Sequence, residues 1–309
     1  MKIENLAPVV LFVYNRLDHT KQTIDALQKN ELSDETELYI YSDAVKNNKI
    51  DQYVKEVREY IKTIQGFKKV TIIEQKENLG LAKSIIAGVS DIINSHGKAI
   101  ILEDDLVTSP YFLKYMNKAL EEYKDEQQVW HISGWNYPTH FDTAEDTYFY
   151  RIMDCWGWAT WSDRWNYFEK NTDDLIKSFT KSDIKRFNLD GFTDLWRQVK
   201  LNKSGRINTW AIYWYATIFR NKGLCLNPVK SFVRNIGHDG TGVHCNISGY
   251  VDNVTLNQNE HFTFPQVISE NTEITNQIKI HFKKTKKSIL IRIFNKLKTI
   301  IIKKFGRNQ

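Results

Sequence analysis

Three adjacent acids, Glu103, Asp104 and Asp105, follow the apolar run Ala99–Leu102. Carboxylates beside a buried strand end are costly to desolvate, and they repel one another. A hard divalent cation offsets both effects. Mg²⁺ or Mn²⁺ takes carboxylate oxygens and keeps positions for water and substrate phosphates. Strand alternation through the triplet would send Glu103 and Asp105 one way and Asp104 the other. One acid could then hold the metal while another binds a ribose or sugar hydroxyl. The plain alternative is a solvated acidic turn, or acids capping a helix expected at 110–123.

The elements around the triplet favour the metal. Residues 8–13 (PVVLFV) predict a buried strand and 18–29 a helix, with Asp18 as its N-cap. Strands follow at 37–42, 69–73 and 98–102, and helices at 51–64 and 81–94. Strands alternating with helices imply a mostly parallel sheet with crossover helices, an α/β fold. Ligands of such sheets lie beyond the carboxyl ends of the strands. The polar residues there are Asn15 and Arg16, Asp43, and Glu103-Asp104-Asp105, which should share one rim. Asn78 and Gly80 mark either a turn before a helix or a substrate contact.

Beyond residue 130 the character changes. Trp130, Trp135, Trp156, Trp158, Trp161 and Trp165 fall within 36 residues. Large aromatics are usually core, but rings also stack on the apolar faces of sugars. Trp156 and Trp158 flank Gly157, a place for an acceptor sugar to enter. A helix-like stretch, TWAIYWYATIFRN, precedes the Gly/His loop NIGHDGTGVHC, which carries His238, Asp239 and His244. Those histidines are either structural or contacts to a metal or diphosphate.

These pieces resemble the GT-A-fold glycosyltransferases. The resemblance rests on VVLFVYNR, YSDA, NLGLAKSIIAGV, ILEDDLVTSPYFLKYM, VWHISGWN, FYRIMDCWGWATW and the late Gly/His loop, over roughly residues 8–245. It is closest to the N-acetylglucosaminyltransferase I type, with inverting bacterial family 2-like transferases behind it. The resemblance implies a nucleotide-diphospho-sugar donor. Asn15 and Arg16 would touch base and diphosphate, Asp43 the uracil, and Lys83 the nucleotide. Asp104 would bind ribose or sugar, with Glu103 beside it, and Asp105 would ligate Mn²⁺ or Mg²⁺. His244 would meet the diphosphate, and Arg151 would sit beside the acceptor pocket with Trp156 and Trp158. The family's general base is an Asp opening the helix after the acceptor loop. The matching stretch here, Thr209–Ala216, has no carboxylate. Asp154 and Asp239 are the candidates, with Asp154 preferred for its aromatic surroundings.

Composition narrows the classes. With 309 residues, 41% of them hydrophobic, the chain suffices for a full core. Eleven of the 43 Lys and Arg lie after Glu273, where no acid occurs, leaving 32 basic against 37 acidic residues in 1–273. A mildly acidic body argues against nucleic acid as a partner. Cys155, Cys225 and Cys245 make no CxxC pair, which fits a reducing, cytoplasmic setting. No signal peptide or membrane-spanning run is expected. The sequence divides into a nucleotide-sugar half (1–110), an acceptor half (111–270) and a basic tail (271–309). Residues 286–305 carry an amphipathic helical pattern suited to an anionic membrane surface. That places the protein on the inner face of a cytoplasmic membrane, with a glycan or lipid-linked acceptor of surface polysaccharide assembly. The competing functions are an inactive carbohydrate-binding protein on the same fold and a sugar nucleotidyltransferase. The second would need a Gly-rich loop after the first strand, where YNRLDH stands.

Overall fold

The computed structural model describes residues 5–46, 52–240 and 254–285. The first half is a β/α series: β1 (Val9–Val13), α1 (Leu17–Gln28), β2 (Glu37–Ser42), α2 (Gln52–Ile61), β3 (Lys69–Glu74), α3 (Gly80–His96) and β4 (Lys98–Glu103). Its strands pair in parallel, in the order β3-β2-β1-β4. The second half begins with β5 (Leu106–Thr108), α4 (Phe112–Glu122), β6 (Val129–Ser133), β7 (Thr147–Tyr150) and β8 (Trp158–Trp161). Helices α5 (Ser162–Trp165), α6 (Thr172–Ser178), α7 (Lys181–Phe187), α8 (Trp196–Lys203) and α9 (Ala211–Arg220) follow, then β9 (Leu224–Pro228) and β10 (Val233–Asn235).

The sheet continues from β4 through β8, β6 and β9 to β7, giving eight strands. β8 and β7 run against the others. Both faces are buried. Val10, Phe12 and Ile101 pack under α3 and α9 on one side, and Val9, Leu11 and Leu102 under α1 and α4 on the other. Period-2 alternation thus divides one strand between two cores.

The aromatic-rich stretch supplies much of the first core. Trp158 is 1% exposed and stacks on Trp210 at 5.1 Å, with Trp165 and Trp214 alongside. Residues 271–285 also belong to the body. The helix over 272–285 buries Ile274 and Ile278, and Asn271 N–H donates to Phe149 O on β7. The compositional break at 271 is therefore not a packing boundary, because apolar residues of this helix close the edge of the core. The amphipathic pattern at 286–305 lies outside the described residues. Among the described residues, no helix is long and apolar enough to cross a membrane.

Candidate active site

β4 ends at Glu103, and a turn at 104–105 interrupts the strand before β5. Alternation stops with it. Asp104 and Asp105 do not point apart; both face Arg16, just beyond β1. Arg16 Nη2 donates to Asp104 Oδ1 and, at 2.8 Å, to Asp105 Oδ2. Both acids are buried. Their backbones are held by Thr23 Oγ1 on Asp104 O (2.9 Å) and by Ile236 N–H on Asp105 O (2.9 Å). β10 pairs with β5 and brings residues 236–237 over the triplet. A Cβ on Gly237 would lie 2.1 Å from Asp105 Oδ2, so only glycine allows this approach. Burial and the adjacent acids push the Glu103 carboxyl up from its ordinary value. Burial raises Asp104 as well, against the pull of Arg16. Burial opposes the Arg16 charge, but Asp104 and Asp105 outweigh it and hold the guanidinium above its ordinary value.

Asp43 is also at this rim, but its carboxylate is engaged elsewhere. Oδ1 accepts from Ala44 and Leu79 N–H, both at 2.9 Å, and Oδ2 accepts from Gly80 N–H at 2.8 Å. It therefore caps the N-terminus of α3, where exposed N–H groups favour an anion. Asn78 Nδ2 adds a bond to Ala44 O at 2.6 Å. Lys83 is exposed on the first turn of α3, and Asn15 is part-exposed beside Arg16.

Asp154 reaches the same region from the chain between β7 and β8. Its Oδ1 accepts from Trp156 N–H at 2.9 Å. Its carbonyl oxygen is 2.9 Å from His131 Nε2 on β6. Trp214 Nε1, a donor only, approaches His131 Nδ1 at 3.2 Å. Nδ1 must accept, so Nε2 carries the proton and donates to Asp154 O. Burial lowers His131 to about 3, keeping it neutral. Burial pushes Asp154 up to about 7, against the Trp156 N–H bond. Asp154 is nevertheless part-exposed, like Glu103, Cys155 and Trp156. Charges on Asp154, Glu103 and Asp105 all act on Cys155, which ties the two groups of acids together. Trp156 stands edge-on to Trp135 (4.7 Å) and His238 (5.4 Å), next to Gly237.

The other expected residues lie elsewhere. Trp158 is core, not acceptor wall. Gly157 leaves no entrance, because a Cβ there would lie 2.7 Å from Val233 Cγ2. Arg151 follows β7, whose end pairs with the start of β9 at the opposite rim. It bonds Glu270 at 2.8 Å and Asp190 at 3.2 Å, an ion-pair network and not an acceptor contact. Asp239 pairs with His19 Nε2 at 3.2 Å, at the α1 side of the cleft. His244 and Cys245 lie outside the described residues; Cys155 and Cys225 are unbridged. His131, Trp214 and Gly237 were missed in the sequence. The visible signals were a histidine inside an apolar strand and a glycine before His238.

The sequence matches the GNT-I family over residues 1–172, from the first β/α units through the triplet, Asp154 and β8. The chain belongs to the GNT-I family. That family is one of glycosyltransferases, and the matched residues include the parallel β3-β2-β1-β4 strands and the acidic triplet after β4. The α9 stretch that lacks a carboxylate lies beyond the matched residues. No curated protein matches the sequence. Solved structures are only distantly similar. S. aureus TarS is 14% identical over 46% of this chain and 23% of that one, with a TM-score of 0.32. TarS 1–349 is 10% identical over 74% and 59%, with a TM-score of 0.42. A mannosyltransferase, PcManGT from Pyrobaculum calidifontis in complex with GDP-Man and Mn²⁺, is 12% identical over 70% and 68%, with a TM-score of 0.38. The chain thus spans less than two thirds of either TarS chain.

Among the described residues, no three His, Cys, Asp or Glu side chains form a metal-holding group. A cation carried by substrate phosphates needs no such cage; one or two carboxylates suffice. Asp105 and Asp104 offer hard oxygens at the strand end, and Gly237 keeps Asp105 Oδ2 clear of a side chain. The residues fit a divalent cation of that kind.

Proposed function

We propose that the protein transfers a sugar from a nucleotide-diphospho-sugar, with UDP the favoured nucleotide, to a hydroxyl of a glycan or lipid-linked glycan, with inversion. The observation that carries this reading is the joining of Asp104 and Asp105 by Arg16 beneath Gly237, with Trp156 against the neighbouring His238. Asp105, with Asp104 beside it, would hold Mn²⁺ or Mg²⁺, which when bound neutralises charge developing on the leaving diphosphate. Arg16 reaches the same phosphates. Trp156 offers a ring edge and face to an acceptor sugar.

Asp154 is the general base of this scheme. Its Oδ1 is fixed by Trp156 N–H, and Oδ2, which has no hydrogen bond among the described residues, takes the acceptor hydroxyl proton. A base whose own value lies near 7 combines a useful ionised fraction with real proton affinity. The oxygen then attacks the anomeric carbon opposite the leaving group, so one base and no covalent intermediate are needed. Asp239 is a poorer base because His19 holds it.

A panel of nucleotide sugars in a thermal-shift screen, with Mn²⁺ or with EDTA, tests the donor. Stabilisation by one UDP-sugar with Mn²⁺, and by none in EDTA, supports the reading. No stabilisation by any nucleotide sugar sinks it. The basic sequence at 286–305 supports a role on anionic membrane, where a lipid-linked acceptor of surface polysaccharide would be met. Liposome co-sedimentation of the full chain should then require anionic lipid and weaken with salt; recovery independent of both removes this part.

A further inference from the structure

Arg16 holds the position that a metal ion must share. Its Nη2 bridges Asp104 Oδ1 and Asp105 Oδ2. A divalent ion on Asp105 Oδ2, at a usual bond of about 2.1 Å, would lie no more than about 5 Å from that nitrogen, since Nη2 is 2.8 Å from the same oxygen. The two cations would compete for one pair of carboxylates. The guanidinium is also incompletely satisfied: Nη1 is buried and has no hydrogen-bond partner among the described residues. An unpaired buried donor is unfavourable where it stands. The backbone is not free to follow. Arg16 O accepts from Thr20 N–H at 2.9 Å and Thr20 Oγ1 at 2.8 Å, which fixes it at the start of α1. Only the side chain can move.

We propose that Arg16 is an internal counter-cation for Asp104 and Asp105, which yields to a divalent ion only when a diphosphate arrives to take the guanidinium. This rests on the metal–diphosphate reading of the site. Before donor binds, Arg16 neutralises the carboxylates and keeps metal affinity low. The diphosphate offers oxygens to Nη1 and Nη2 together, and the vacated carboxylates accept the ion. Metal and nucleotide therefore bind as a unit, and each must tighten the other by the same factor.

Mn²⁺ binding to the full-length protein, followed by electron paramagnetic resonance of the free ion, tests this. In the wild type, UDP should tighten Mn²⁺ by about tenfold or more. Arg16→Ala, and the near-isosteric Arg16→Gln should the alanine variant misfold, should bind Mn²⁺ without UDP about tenfold tighter than wild type. The effect of UDP should shrink correspondingly. If the wild type binds Mn²⁺ with UDP but the Arg16 variants bind Mn²⁺ alone no tighter than wild type, the counter-cation role is wrong while the metal site stands. If no variant and no wild-type sample binds Mn²⁺ even with UDP, the metal reading fails and takes this proposal with it.

Discussion

A carboxyl with a value near 7 inside a cleft has consequences that can be measured at one residue. Asp154 must be ionised to accept a proton, so the transfer rate at saturating donor should rise with pH through about 7. Asp154→Asn keeps the bond from Trp156 N–H but cannot take the proton. It should lower kcat by about 10²-fold or more, with donor affinity within about threefold of wild type. Activity within a few-fold of wild type would move the base elsewhere. Stability supplies an independent sign. Burial raises the folded-state value above the usual carboxylate value, so the folded protein binds the extra proton between about pH 4 and 7. Stability contributed there is lost as pH rises through about 7. Asp154→Asn should therefore be more stable than wild type at pH 8, on the order of 2 kcal/mol, and should show no advantage at pH 4. Residue identity alone singled out the triplet, whose two aspartates share Arg16. It misled at Arg151 and Trp158, because an arginine after a strand and a tryptophan beside a glycine look alike whether they face a cleft or a core.

At the scale of elements, α9 no longer bears a carboxylate but still acts on the cleft. Trp214 on α9 fixes His131 on β6, and His131 holds the Asp154 carbonyl; the imidazole also stacks on Trp158 at 5.3 Å. His131 is a positioning residue in this arrangement. His131→Phe should keep the ring packing and lose both bonds, lowering kcat by about tenfold with donor KM little changed. His131→Gln, which can restore a donor toward Asp154 O, should recover part of that loss; equal rates for both variants would reduce the clamp to core packing. Asp43 acts at the other wall. Asp43→Ala removes three accepted bonds, two of them at the start of α3, and the cap alone contributes about 1–2 kcal/mol. Thermal unfolding should show that loss, with the Mn²⁺ requirement retained. An unchanged Tm would contradict the capping role. The capping role was not legible in YSDA, because its partners, Leu79 and Gly80, come 36 and 37 residues later.

For the molecule as a whole, the first half was readable because each strand is followed by its own crossover helix, and local pattern matches local contact. β1 to β4 and their helices fall within a few residues of the expected ranges. The second half was not. β6, β7, β8 and β9 are only four or five residues long, are buried on both faces, and join the sheet out of chain order. Neither alternation nor helical spacing marks such strands. The β5–β10 ribbon that lays Gly237 over Asp105 joins residues more than 120 positions apart. These distant pieces together form the proposed metal-assisted donor site at the ends of β1 and β4. Isothermal titration of UDP in the presence of Mn²⁺, comparing wild type with Asp105→Ala, tests it most directly. The wild type should bind, the variant should lose binding or weaken by at least about tenfold, and the unfolding transition should be unchanged. Equal affinity in a folded Asp105→Ala protein would contradict the proposed site.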